Sequence, residues 1–447
     1  MKSELCKVFE KWERNDDYLN AVINAGIEKN RKGDVTLYLT DASNQPLSGV
    51  KIRAKQIRHQ FKHGANCFML DEMPTPEDNK YYEETFAKVF NLATLPFYWN
   101  TLEPEQGKPR YKKDNPYIYR RPTPDRCLEF CSEYGIHPKA HCLNYPCIKT
   151  LDWMNSDLQT EKMLLTKHFK ELGELYADKI QDWEVTNETF WCYHNEEKHL
   201  PSIYYARDLI EWSFNAARQF FPGNNLIIND NYIWNNHEFF HDRSPYFMQI
   251  ERALLKGAPI DTIGMQFHLF CKREHFLNFT QQSCDPMRHL DVMDCYAMLG
   301  KPLQITEITF PAYSPEACEE EFQAEMVRRF YPLWFSHKAM NGIIYWNLID
   351  GYAVGAEKGD FSKGENYYRG GLLRYDLSKK PAYDMIDELF NHRWRTEATI
   401  ETDEKGKAIL RGFYGDYELT IEGNGVTKKQ VLRLSENPIQ TKEICLN

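Results

Sequence analysis

The chain has 447 residues, a net charge of −10 and a hydrophobic share of 42%, enough apolar material for one large core and a smaller appended one. The negative balance, with no basic stripe, argues against a nucleic-acid partner. No stretch approaches the ~18 uninterrupted apolar residues of a membrane-spanning helix.

The opening segment MKSELCKVFEKWERNDD carries charge where a leader peptide would carry an apolar run, so a cytoplasmic protein is expected, exported only if a leader precedes it. The twelve cysteines suit that compartment, being scattered without a CxxC pair or zinc spacing. Cys127 and Cys131, four apart, are expected as packed neighbours on a helix rather than as ligands.

In chain order, residues 1–30 read as a helical lead-in. Residues 31–62, containing GDVTLYLTDASNQPLSGVKIRAKQIRHQFK, alternate apolar and polar positions around a polar turn, and residues 394–447 do the same around Gly and Asp turns. Neither flank is long enough to bury a core by itself, so the two are expected to pair into one small discontinuous β-sandwich.

Residues 63–393 alternate short β-prone runs with longer amphipathic helical patterns. The runs are GANCFML, FNLATLPFYWN, IHPKAHCLNY, IQDWEVTNE, NNLIINDNY, TIGMQFHLF, PLQITEITF and NGIIYWNLID. Eight such units predict an α/β fold of the (β/α)8 TIM-barrel type, with the sandwich as an accessory. Several runs begin apolar and end in polar or titratable residues, as strands do when their C-terminal ends form the active face.

The strand ends carry the chemistry. The fourth run delivers Asn187 and Glu188, the seventh Glu307, the third His141, the sixth Gln266 and His268, and the eighth Trp346. A lone glutamate at a strand end is ordinarily a salt-bridged rim residue. Two glutamates converging with a histidine and a tryptophan form the pair needed to cleave a glycosidic bond, one carboxyl protonating the leaving oxygen and the other attacking the anomeric carbon. Asn187-Glu188-Thr189 also matches a glycosylation sequon, a reading that would need an exposed asparagine in an exported protein.

WEVTNE and ITEIT resemble the Trp-Asp-Val-Val-Asn-Glu acid/base motif and the Ile-Thr-Glu-Leu-Asp nucleophile motif of glycoside hydrolase family 10, the retaining β-xylanases. HCLNYPCIKTLDWM, LIINDNYI, TIGMQFH, WNTLEPEQGKPRY and GGLLRYDLSKKPAYDMI are similar to further segments of that family, in the same order. The resemblance implies that Glu188 is the acid/base, Glu307 the nucleophile and Asn187 a partner of the sugar 2-hydroxyl. It places His141, Gln266 and Trp346 around the reacting sugar, with His268 hydrogen-bonded to Glu307 and keeping it ionised. Tyr98, Trp99, Tyr145 and Tyr232 join them as substrate-binding positions. No cofactor or metal is implied.

Departures from the family fall on the substrate side. Leu95 and Tyr98 stand where the family has an Asn and a Lys that bind the distal sugar, and Asn100 replaces an acidic residue. Pro146 and Tyr145 replace a His and a Trp, and GYAVGAEKGDFSKGENYYRGG replaces a short loop. Because an unmatched buried hydrogen-bonding group is costly, these changes point away from ordinary xylan and towards oligosaccharides or glycosides, with exo action as the alternative to endo. Two other classes stay open. His237-Glu238-Phe239-Phe240-His241 matches the zinc-protease pattern, without a clear third ligand downstream. A non-catalytic carbohydrate-binding protein on a barrel scaffold is the third reading.

Overall fold

A computed structural model describes residues 7–145, 151–154, 157–190, 200–231, 233–423, 425–436 and 440–446. Fifteen strands follow in chain order, the first two being β1 (Lys32–Asp41) and β2 (Lys51–His59). Next come β3 (Lys62–Asn66), β4 (Leu92–Pro96), β5 (His137–Asn144), β6 (Asp182–Asn187), β7 (Asn225–Asp230), β8 (Thr262–His268), β9 (Leu303–Thr309) and β10 (Met340–Tyr345). The last are β11 (Glu397–Glu401), β12 (Lys407–Phe413), β13 (Gly415–Gly423), β14 (Val426–Leu434) and β15 (Thr441–Leu446).

Strands β3 to β10 close into a parallel barrel in sequence order, β10 pairing back to β3 through Ile343 and His63. Each of the eight apolar runs contributes one of these strands, so the (β/α)8 expectation holds. The strands are buried on both faces, which explains why they read as nearly continuous apolar segments rather than alternating ones. The intervening helices begin where side chains satisfy their free N–H groups. Thr75 accepts from Asp78 N–H at 3.1 Å ahead of the helix Pro76–Val89, and Asp157 accepts from Gln159 and Thr160 ahead of Leu158–Tyr176. Cys127 and Cys131 are both buried on the helix Pro124–Tyr134. Among the described residues no helix is long and apolar enough to cross a membrane.

The flanks supply two further sheets, ordered β12-β1-β15 and β11-β2-β13-β14. Their period-two patterns turn Val35, Leu37 and Leu39 of one sheet and Ile52, Ala54, Leu419 and Ile421 of the other into one separate apolar core, which makes the accessory β-sandwich. Its strands come from both ends of the chain, β2 pairing antiparallel with both β11 and β13.

The helix Asp16–Asn30 lies on the helix Ala317–Ser336 so closely that a Cβ at Gly26 would sit 2.6 Å from Ser336 O. Just beyond it, buried Arg31 donates to the carbonyls of Phe335, His337 and Met340, tying the entry into the sandwich to the last βα unit of the barrel. A cavity of about 1090 Å³ opens beside Lys62, His137 and Met340, at the N-terminal ends of β3, β5 and β10. That end of a barrel serves stability, and the chemistry belongs to the other.

Candidate active site

At the C-terminal end of the barrel a cleft of about 570 Å³ is lined by Asn187, Glu188, Gln266, His268, Glu307 and Trp346, with Tyr98, His141 and Tyr145 along one wall. The structure thus brings together nine of the residues singled out from sequence. Tyr232 lies outside the described residues. Trp99 belongs elsewhere: its ring stacks on His168 at 4.3 Å, and its Nε1 donates to Glu103 Oε2 at 2.9 Å. The physical reason is the turn of helix Trp99–Leu102, which begins at this point and leaves Tyr98 facing the cleft while Trp99 packs behind it.

The site is organised around two amides. Asn229 Nδ2 donates to Glu307 Oε1 at 2.9 Å and to Asn187 Oδ1 at 2.8 Å, while its Oδ1 accepts from Thr306 Oγ1 at 2.5 Å. Gln266 Nε2 lies 3.1 Å from each of Asn187 Oδ1, Glu188 Oε1 and Glu307 Oε1. The two carboxylate oxygens on that shared donor are therefore no further apart than twice 3.1 Å. Asn187 Oδ1 is used twice, which leaves its Nδ2 as a donor for a ligand. Gly264 makes the arrangement possible, because a Cβ there would meet Asn229 Oδ1 at 2.7 Å and Thr306 Cγ2 at 2.8 Å.

Glu188 follows the last residue of β6 with φ +51°, a left-handed conformation that costs a non-glycine residue free energy and turns its side chain out of the strand register. Tyr145 OH donates to its Oε2 at 3.0 Å. Next in the chain, Thr189 Oγ1 donates to Asp230 Oδ2 at 3.0 Å, and Asp230 also receives the N–H groups of Phe190 and Asn231. Asn187 is only 1% exposed, so a glycan on it is incompatible with this fold.

Charge is layered beneath the cleft. Lys139 and Glu184 form a fully buried ion pair, and Glu184 also holds His141 Nδ1, which lies 4.0 Å from Glu307 Oε1. Burial alone would raise Glu184, but the charges of Lys139 and His141 outweigh it and hold it below its ordinary value. Burial would likewise lower His141, and the charge and hydrogen bond of Glu184 outweigh it, raising the imidazole. Glu307 is pushed up to about 8 by burial, with Glu184 and Glu188 adding to the push and His141 opposing it.

His268 is lowered to about 4 by burial and is neutral near pH 7. Against an ionised Glu307 its Nε2 donates to Glu307 Oε2 at 3.1 Å, which leaves Nδ1 to accept from Thr309 Oγ1 at 2.9 Å. The help it gives an ionised Glu307 is a hydrogen bond and not a charge. Together with Asn229 and Gln266 it supplies three donors to one carboxyl group.

Lys139, Glu184, Asn229, Arg121 and Glu365 were not singled out from sequence. Lys139 and Glu184 did carry a signal, opposite charges in the middle of apolar strands, which a barrel interior tolerates only as a pair. Arg121 carried none: it enters from the long β4 loop and lies over the Tyr98 ring at 4.2 Å, placing a guanidinium beside that tyrosine. The HEFFH segment does not build a zinc-protease site. Its helix ends at Phe240, His241 has φ +47°, and Glu238 pairs with Arg288. His237 and His241 both face the exposed Asp291, with their ligand atoms within 4.8 Å of one another, at the surface and without a free glutamate beside them among the described residues.

Comparison with known proteins identifies the family. The model of Glycosyl hydrolase family 10 matches residues 58–389. Endo-1,4-beta-xylanase 1 of Arabidopsis thaliana is 24% identical over 400 residues, covering 88% of this chain and 37% of that protein. Endo-1,4-beta-xylanase B of Thermotoga neapolitana is 23% identical over 328 residues, covering 71% of this chain and 85% of that protein. The chain spans less than half the length of the first curated relatives it matches. Among solved structures, xylanase 10B from Thermotoga petrophila RKU-1 in complex with xylobiose superposes with a TM-score of 0.55 at 20% identity, covering 74% of this chain and 94% of that one. The chain belongs to glycosyl hydrolase family 10.

Proposed function

We propose that this protein is a retaining β-glycoside hydrolase acting on xylo-oligosaccharides or related β-linked oligosaccharides and glycosides. The observation that carries the reading is the common donor of Glu188 and Glu307, which keeps one oxygen of each no further apart than twice 3.1 Å, short of the ~6.5–9.5 Å of an inverting pair and in keeping with the ~5–5.5 Å of double displacement.

In the first step the Glu307 carboxylate attacks the anomeric carbon. The glycosidic C–O bond breaks, the leaving oxygen takes the proton of Glu188, and a glycosyl ester forms on Glu307. In the second step a water molecule gives a proton to Glu188 and attacks the same carbon, releasing Glu307. Asn187 Nδ2 donates to the sugar 2-hydroxyl, a contact that strengthens as positive charge grows on the ring. His268, Asn229 and Gln266 stabilise the ionised form of Glu307 that attacks.

Hydrolysis of 4-nitrophenyl β-xyloside and β-xylobioside and of xylohexaose, with Glu307→Gln as control, tests the reading. Turnover that vanishes in the variant supports it. Turnover that survives removes the assignment. Release of single sugars from one end of xylohexaose indicates exo action, and internal cleavage indicates endo action.

A further inference from the structure

The loop after β10 brings into the cleft a carboxylate that the proposed reaction does not use. Glu365 lies on the short 3-10 helix Gly364–Tyr368, half-buried, with its N–H on Val354 O at 3.1 Å. Its neighbour Asn366 fastens the loop, accepting from Ala353 N–H at 2.7 Å and donating to Glu357 O at 3.2 Å. The loop is long, yet Glu365 is placed by these bonds and lines the cleft beside Trp346.

Both donors to the Glu365 side chain reach one oxygen. Trp346 Nε1 donates to Oε2 at 3.2 Å and Asn347 Nδ2 to the same atom at 3.1 Å. Asn347 Oδ1 in turn accepts from Arg120 Nη2 at 3.2 Å and from Asn66 Nδ2 at 3.3 Å, so a buried guanidinium backs the carboxylate. Oε1 has no protein donor among the described residues. Anchoring the loop needs only Oε2.

A carboxylate oxygen left over in a cleft wall accepts strongly from a hydroxyl and repels another carboxylate. We infer that Glu365 is a specificity-determining residue: Oε1 accepts a hydrogen bond from a hydroxyl of the sugar lying against Trp346, so the cleft selects a neutral glycone with that hydroxyl free and rejects a uronic acid. This rests on the glycosidase reading above and adds to it the chemical class of the glycone.

The full chain and its Glu365→Gln variant are assayed on 4-nitrophenyl β-xyloside, β-xylobioside, β-glucoside and β-glucuronide. Glutamine keeps the size and an oxygen for Trp346 and Asn347, but presents an amide N–H₂ where Oε1 stood. The expected result is an unchanged melting temperature, a loss of about 10- to 100-fold in kcat/KM on the best neutral probe, and a tenfold or greater relative gain for the glucuronide. Values within about twofold of the parent on every probe, or the same loss on all four, overturn the inference, the latter because it marks a purely structural role.

If the parent hydrolyses none of the probes, Glu365 is judged by binding, and turnover of xylohexaose decides separately whether the hydrolase reading stands. Xylotriose is titrated calorimetrically into Glu307→Gln and into the Glu307→Gln, Glu365→Gln double variant. A tenfold weaker affinity in the double variant upholds the inference. Equal affinity, or no binding by either protein, overturns it.

Discussion

Glu188 and Glu307 each place an Oε1 atom 3.1 Å from the single Nε2 of Gln266. One amide thus sets the spacing of two carboxyl groups delivered by strands β6 and β9, and Asn229 fixes the second of them from β7. The first prediction concerns how these two groups divide the reaction. Glu188→Gln should cost about 10²- to 10⁴-fold on substrates with poor leaving groups, the usual worth of a general acid. It should cost far less on the first step with a dinitrophenyl glycoside, whose leaving group needs no proton. Glu307→Gln should abolish turnover on both. Pre-steady-state kinetics on the two substrate types checks the contrast.

The pH profile follows from Glu307. It attacks as the carboxylate, and burial pushes it up to about 8, so activity falls as pH drops through that value. The acidic limb of kcat/KM should therefore lie well above the ordinary carboxylate range near 4.5. Lys139→Met, which removes a cation that holds Glu307 down, should move the limb further up. A limb near pH 4 in the parent would show that the three donors outweigh burial.

Stability should fall on both sides of the mildly acidic range. Asp182 is buried, but the hydrogen bond from His137 and the charge of Lys62 outweigh burial and hold it well below its ordinary value. It stabilises the fold above pH ~4, and this contribution is lost as pH falls. Asp230 has the opposite sign: burial raises it from 3.8 to about 7, so the folded protein binds the extra proton and stability declines as pH rises between those values. In melting temperatures measured from pH 3 to 9, Asp230→Asn should flatten the decline between pH 4 and 7 and leave the acid side unchanged.

Gly264→Ala should harm both stability and catalysis. The new methyl would meet the backbone oxygen of Ile228 at 2.7 Å as well as Asn229 Oδ1, so the strand cannot absorb it by rotating one side chain. A loss of about 1–3 kcal/mol in denaturant unfolding is expected. Activity should drop with it, since Asn229 carries both Asn187 and Glu307. An active, fully stable variant would contradict the role given to this close contact.

Much of this was legible because barrel strands obey a simple pattern: fully buried runs that end in polar groups, as in ITEIT and GMQFH. Trp99 misled because a short helix starts between it and Tyr98, and a strand-end motif does not reveal which of two adjacent aromatics turns inward. Arg121 and Glu365 were silent because they arrive on long loops, whose folds depend on tertiary bonds such as those of Asn366 and Arg120 rather than on local periodicity. The zinc-protease pattern failed for a related reason. The two histidines do meet at Asp291, but the glutamate the motif needs as a base is paired with Arg288.

The central claim is double displacement by Glu307 and Glu188, and the stereochemistry of the first-formed product tests it most directly. Proton NMR of a 4-nitrophenyl β-xylobioside hydrolysate, followed from the first minutes, should show the β-anomer of xylobiose appearing first and the α-anomer growing in only by mutarotation. First appearance of the α-anomer would mean inversion and would contradict the account.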